Sequence, residues 1–286
     1  MTVLRLLNVC GLVWKGIFLF VVTLSAQERV FHKDLSDEKE LKVKIDFGSG
    51  KLRIKKAADN ALYRLTAVET NDNIEPKVRY EKSGTAGALT VSIEQSKSVN
   101  IFNVGDQNWT LELTRQIPIL LKADIGACNG DMDFTDLRIK DIYLSGGAST
   151  ITLRFEKPNR ERLRSLKIDA GISRLYLYGL GHANMESMKF QGGVGSYRLD
   201  FTGTQFDNNR VDISVGVGKA VLLIPEDAVT RIITQDNFLS SVNIDADYFE
   251  SLANGMYLSK KRRDHNPDLT INIEAGLGKI DVIGIP

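Results

Sequence analysis

Cysteine and histidine are almost missing from this 286-residue chain, which holds two of the first and three of the second. Cys10 lies in the extreme N-terminal segment, so Cys128 stands alone, and one thiol cannot close an intramolecular disulfide. His32, His182 and His265 are isolated, with no HxH, HExxH or Cys/His cluster. A zinc centre or a Ser–His–Asp site would need distant histidines to converge through the fold. No charge sign dominates either: 37 Lys and Arg stand against 36 Asp and Glu, a formal net charge of +1. Without a global field the chain is poorly suited to DNA or RNA. No apolar run reaches the roughly 20 residues that span a bilayer as a helix.

The composition that remains is that of a protein with a core, 43% apolar and 26% charged. Residues 1–26 read as a cleaved secretory signal. Arg5 and Lys15 precede an apolar stretch, Gly16–Leu24, and Ser25-Ala26 supply small residues for cleavage. Cys10 precedes the apolar stretch, where a lipid-attachment cysteine should follow it. The expected destination is outside the cytoplasm: periplasm, outer surface or medium.

One short phrase recurs: apolar alternation, a glycine, a polar turn, alternation again. Its anchors are Gly48, Gly126, Gly147, Gly171, Gly193, Gly216 and Gly276, with a degenerate copy at Phe238. From Gly126 the steps are 21, 24, 22, 23 and 22 residues, then 38. A period this regular belongs to stacked repeats, because no single unit can bury its own apolar face. Three and five residues before each anchor stand pairs such as Ile168 and Leu166; four and six after it stand pairs such as Leu175 and Leu177. That parity gives two strands per unit, each with one buried face, and the junction glycine suggests a turn at positive φ.

Two geometries fit. In a β-solenoid the glycine is a corner and coils stack. In stacked antiparallel hairpins it opens a turn that sets Asp46 opposite Lys51, Asp169 opposite Arg174 and Glu274 opposite Lys279. The period favours the all-β solenoid, with coils of about 22 residues. The expected organisation is a signal at 1–26, a polar linker at 27–42, an irregular β portion at 43–120 and solenoid repeats at 121–286, the last two sharing one core. Helix is expected only as a turn or two near 159–166 or 246–254.

Asn108-Trp109-Thr110-Leu111-Glu112-Leu113, Pro118-Ile119-Leu120 and Ala123-Asp124-Ile125-Gly126-Ala127 resemble the opening of the bacterial toast-rack domain family. Met132-Asp133-Phe134-Thr135-Asp136-Leu137 and Leu144-Ser145-Gly146-Gly147-Ala148-Ser149 continue it, and the similarity runs from about 40 to 286. The resemblance implies a stacked right-handed β-helix-like body in cell-envelope proteins, some relatives being linked to cell-wall stress. It carries no catalytic residues to transfer. The chain lacks the transmembrane helices of the membrane-anchored stress regulators in that family.

The chain carries few residues in patterns that chemistry requires. GSGK at Gly48–Lys51 fails as a phosphate loop, since Ile45 and Leu52 stand where glycine and Ser or Thr are needed. The turns lack the GGxGxD pattern of calcium-binding β-rolls. The column two before the anchors reads Asp124, Ser145, Asp169, Gln191, Ser214, Asp236, Glu274, and several of its acids have a basic neighbour. Acids separated by a neutral coil stand roughly twice 4.8 Å apart, although an inverting carboxylate pair needs only about 6.5–9.5 Å. Tyr176 and Tyr178 offer a short aromatic strip. The dense basic cluster Lys260, Lys261, Arg262 and Arg263 is a candidate contact for an anionic envelope surface. The reading is a non-catalytic exported envelope protein, a scaffold or binding surface for an unidentified envelope protein or polymer, with no cofactor or metal. The alternative is a carbohydrate-binding or carbohydrate-cleaving β-helix.

Overall fold

The computed structural model describes residues 27–69, 74–95, 107–235, 240–261 and 266–286. The signal segment and the degenerate anchor at Phe238 lie outside the described residues. In chain order the strands are β1 (Gln27–Asp34), β2 (Glu40–Lys56), β3 (Ala61–Glu69), β4 (Ile74–Ser83), β5 (Ala86–Gln95), β6 (Gln107–Leu113), β7 (Ile119–Asp133) and β8 (Ile139–Arg154). There follow β9 (Leu163–Tyr178), β10 (Met185–Asp200), β11 (Asn209–Pro225), β12 (Thr230–Gln235), β13 (Ser240–Ile244), β14 (Phe249–Ser251), β15 (Met256–Ser259) and β16 (Leu269–Ile285). A three-residue 3-10 turn at Leu180–His182 is the sole helical element among the described residues; neither 159–166 nor 246–254 is helical, because both feed strands.

Each repeated phrase is one long bent strand, and the strands pair in parallel. β2, β7, β8, β9, β10, β11 and β16 lie side by side in that order. The register keeps the repeat in phase: Leu153 faces Leu177, Leu177 faces Leu199, Leu199 faces Leu222 and Leu222 faces Val282. All five are buried, as are Ile168, Phe190, Ile213 and Ile273 on the first limb. The period-2 pattern therefore builds two inner faces of one shared core that runs from Leu41 to Val282. The fold is a repetitive β-solenoid, and the hairpin alternative is excluded by the parallel register.

The returns between rungs close the remaining side. Phe134, Phe155, Leu180 and Phe201 are buried there, with Phe134 and Phe155 at 5.5 Å between ring centroids. Asn159, buried in such a return, staples neighbouring rungs. Its side-chain oxygen accepts from the Ile139 N–H at 3.0 Å, and its amide donates to the carbonyls of Ile139 (2.7 Å) and Ala183 (3.2 Å).

Both ends of the stack carry a split rung. β5 pairs with the first limb of β2 and β6 with its second limb, both parallel. At the other end β12 and β13 do the same against β16. Antiparallel strands then cover these pieces: β4 on β5, β3 and β1 on β6, and β15 and β14 on β12. Two features depart from the sequence reading. Residues 27–42 are not a linker, since β1 is a paired strand and β2 begins at Glu40; as an edge strand β1 shows water a largely polar face, which hides it in composition. Sequence order also fails at the last step, because β16 lies between β11 and the β12/β13 rung instead of beyond it.

Candidate functional site

The bend is where the rungs differ from an ordinary sheet. None of the seven anchor glycines has positive φ, so they are not there for a turn. They are there for close approach: a Cβ at Gly147, Gly171, Gly193, Gly216 or Gly276 would lie 2.5–3.3 Å from the carbonyl oxygen of the anchor glycine in the neighbouring rung. Gly126 would strike Gly48 in the same way. Positive φ falls two residues later, at Gly50, Gly218 and Gly278. The same position in other rungs holds Cys128, Ser149, Ser173 and Gly195, a column of small residues. Ser149 and Ser173 touch through their hydroxyls at 3.2 Å, and Ser173 Oγ donates to the Gly147 carbonyl.

Between the anchor and that small residue stands one side chain that points outward. The column reads Ser49, Ala127, Ala148, Ile172, Val194, Val217, Leu277, and the pairing sets each beside the next. Ile172, Val194, Val217 and Leu277 are 69%, 48%, 41% and 49% exposed. Four aliphatic side chains on consecutive rungs thus form a ridge along the corner. Beside it runs an open trough of ≈ 960 Å³ that reaches from Lys51 past Asn129 and Arg174 to Ser196. Beneath the trough, Gly192 and Gly195 make room for the Tyr197 ring, which packs edge-on against Phe190 at 5.1 Å.

The flanks of the ridge are charged. One carries Asp46, Asp124, Asp169 and Glu274, the other Lys51, Arg174, Lys219 and Lys279. The ion pairs that do form mostly tie rung to rung: Arg154 to Asp131 at 2.7 Å, Lys140 to Glu40 at 3.0 Å, and Arg164 to Asp141. Lys219 and Lys279 both reach Asp281, at 3.5 and 2.8 Å. The in-rung pairs expected of hairpins, Asp46 with Lys51, Asp169 with Arg174 and Glu274 with Lys279, do not form, because each residue lies on its own side of the bend.

The basic loop is partly committed within the chain. Lys261 bridges Glu226 (3.0 Å) and Asp227 (2.9 Å), and Lys260 Nζ donates to the Ala246 carbonyl at 2.6 Å. Arg262 and Arg263 lie outside the described residues. Tyr176 and Tyr178 hold their rings nearly parallel, 6.5 Å apart. Cys128 is buried and burial pushes its thiol up to about 11, so it is an inert wall of the corner. Burial in the 3-10 turn depresses the pKa of His182. Among the described residues no three His, Cys, Asp or Glu side chains cluster for a metal, and no helix is long and apolar enough to cross a membrane.

Sequence reasoning missed the ridge. Its signal was present, as an apolar residue directly after the anchor in four units (Gly171-Ile172, Gly193-Val194, Gly216-Val217, Gly276-Leu277), but the parity of the first limb, carried straight through the bend, places it inside.

Comparison with known proteins matches residues 22–178 to a family model described as the N-terminal domain of toast_rack, DUF2154. No curated protein matches the chain. Among solved structures, a candidate cell adhesion protein from Clostridium sporogenes ATCC 15579 is 21% identical, with 91% of this chain and 100% of that chain covered and a TM-score of 0.48. A candidate adhesin from Bacteroides fragilis NCTC 9343 is 12% identical, over 91% of this chain and 99% of that one, with a TM-score of 0.43.

Proposed function

The chain belongs to the family of the N-terminal domain of toast_rack, and from that premise we propose that it is an exported, non-catalytic envelope protein that works by offering its corner as a binding surface. The observation that carries this reading is the exposed aliphatic ridge of Ile172, Val194, Val217 and Leu277. A fold that buries Leu166, Ile168, Leu175 and Leu177 on alternating positions has a rule for apolar side chains, and these four break it in register. Exposed apolar patches that persist in a soluble body mark contact sites. The bordering trough is long, shallow and open, which suits an extended partner and not a small substrate. Export rests on the reading of residues 1–26, and a role in envelope or wall stress rests on the family resemblance.

Residues 27–286 should bind at least one member of a panel of envelope glycans, envelope proteins and anionic vesicles, and Val194→Asp with Val217→Asp should abolish that binding while leaving the far-ultraviolet circular dichroism unchanged. Hydrolysis of a glycan would overturn the non-catalytic reading. We extend the proposal to the basic loop: Lys260→Ala, Lys261→Ala, Arg262→Ala and Arg263→Ala together should remove any salt-sensitive vesicle binding. Retention of that binding would exclude the loop.

A further inference from the structure

We propose that the partner recognised by the corner is a second copy of this chain, docked ridge to ridge about a two-fold axis parallel to the stack. The inference rests on the corner being a binding surface and adds the identity of what it binds. Its warrant is the order of charges across the ridge. On three rungs an acid stands on one flank and a base on the other: Asp46 and Lys51, Asp169 and Arg174, Glu274 and Lys279. The other rungs carry Asp124 with Asn129, Ser145 with Thr150, Gln191 with Ser196, and Ser214 with Lys219. No rung has like charges on both flanks. Among the described residues, Asp46, Lys51, Asp169, Arg174 and Glu274 form no ion pair within their own chain, whereas Asp124 on the same flank reaches Lys122 and Lys219 and Lys279 share Asp281.

A two-fold along the stack maps each rung onto the same rung of the partner and exchanges the flanks. Asp169 then faces the partner's Arg174, Glu274 the partner's Lys279, and Asp46 the partner's Lys51, while Ile172, Val194, Val217 and Leu277 meet their own copies. Such an interface is isologous and closes at two subunits. The alternative two-fold, across the stack, reverses the rungs and lays acid on acid and base on base, which repels. An anionic bilayer gains nothing from this arrangement, because the four acids of one flank (Asp46, Asp124, Asp169, Glu274) offset the four bases of the other (Lys51, Arg174, Lys219, Lys279). Seven rungs at about 4.8 Å span about 29 Å, and a strip that long but narrow falls near the lower bound of roughly 1,000 Å² for a specific interface. The dimer is therefore weak and concentration-dependent.

Sedimentation velocity on residues 27–286, from low micromolar to near-millimolar chain, reads the equilibrium directly. Arg174→Glu sets a carboxylate against the partner's Asp169 and should weaken the dimer about tenfold or more, the equivalent of one 1.4 kcal/mol step. Adding Asp169→Arg to that chain restores the pair and should restore the dimer. In a Cys128→Ser background, Val194→Cys should cross-link to itself on mild oxidation. The inference is overturned by a chain that stays monomeric throughout, by failure of the double swap to rescue, or by Ile172→Cys chains cross-linking to Leu277→Cys chains in preference to themselves. Monomeric protein that still binds a glycan or vesicle through Val194 sinks self-docking and keeps the corner as a binding surface. Monomeric protein that binds nothing sinks both.

Discussion

At Gly193 a single missing methyl decides whether two rungs can touch. A Cβ there would sit 2.7 Å from the Gly171 carbonyl oxygen and 3.1 Å from that of Ala170, and the residues on either side of Gly171, Ala170 and Ile172, are paired in the ladder. Relief requires moving backbone and not a side chain, so Gly193→Ala should cost about 1–3 kcal/mol, the usual range for forced overpacking, read as a fall in the urea midpoint. Val194→Ala next door, at an exposed position, should change stability by less than about 0.5 kcal/mol. A second residue-scale test concerns Glu38, whose side chain is buried beside β4. Burial alone would raise its pKa, but the Ser36 N–H at 2.7 Å, the Tyr80 hydroxyl at 2.7 Å and Lys33 at 3.4 Å outweigh it and hold the carboxyl at about 2. A folded pKa below the unfolded value of about 4.3 means the contribution is complete above that pH and is lost as pH falls toward 2. Glu38→Gln should therefore flatten the acid limb of the stability curve between about pH 4.5 and 2 while leaving neutral-pH behaviour free of that slope. An unchanged acid limb in urea titrations over that range would show that another group sets it.

The rung is the element on which everything else depends, and Leu177 lies at the middle of its column between Leu153 and Leu199. Leu177→Ala leaves a cavity that rigid neighbours on both sides cannot fill, so a loss of about 2–5 kcal/mol is expected by urea denaturation. This element was legible in the sequence, since parity around each anchor named the inward residues and the period named the stacking. The reason for the glycines was not legible. Positive φ and close approach both select glycine, and only the neighbouring carbonyl, brought in by the parallel register, distinguishes them. β1 was hidden for a different reason: an edge strand can stay polar on its open side and still pair with β3. Asn159 read as an ordinary loop residue because its three partners come from two other rungs. The ridge escaped since alternation predicts which residues turn inward along a straight strand, and a bend places two successive residues outside.

Over the whole molecule the capped ends and the interposed last strand control cooperativity. β16 pairs with β11 along its full length and with β12 and β13 on its other side, so it is the contact through which the final rung joins the stack. In a repeat array stability is carried from neighbour to neighbour. Removal of 269–286 should strip amide protection from β11 and β12 first and spare β8 and β9 in hydrogen exchange. Uniform loss of protection would mean the stack behaves as one indivisible unit. The same arrangement has a consequence for how the chain is made. Translation delivers residues 230–244 before the strand that must separate them from β11, so the nascent chain cannot settle one layer after another as it emerges. Its final layers wait for 269–285, and until then two backbone edges that belong apart stand next to each other in synthesis order. A polypeptide that closes in this way keeps the edge of β11 open, and with it the seat of the β12/β13 layer, until 269–285 has been delivered.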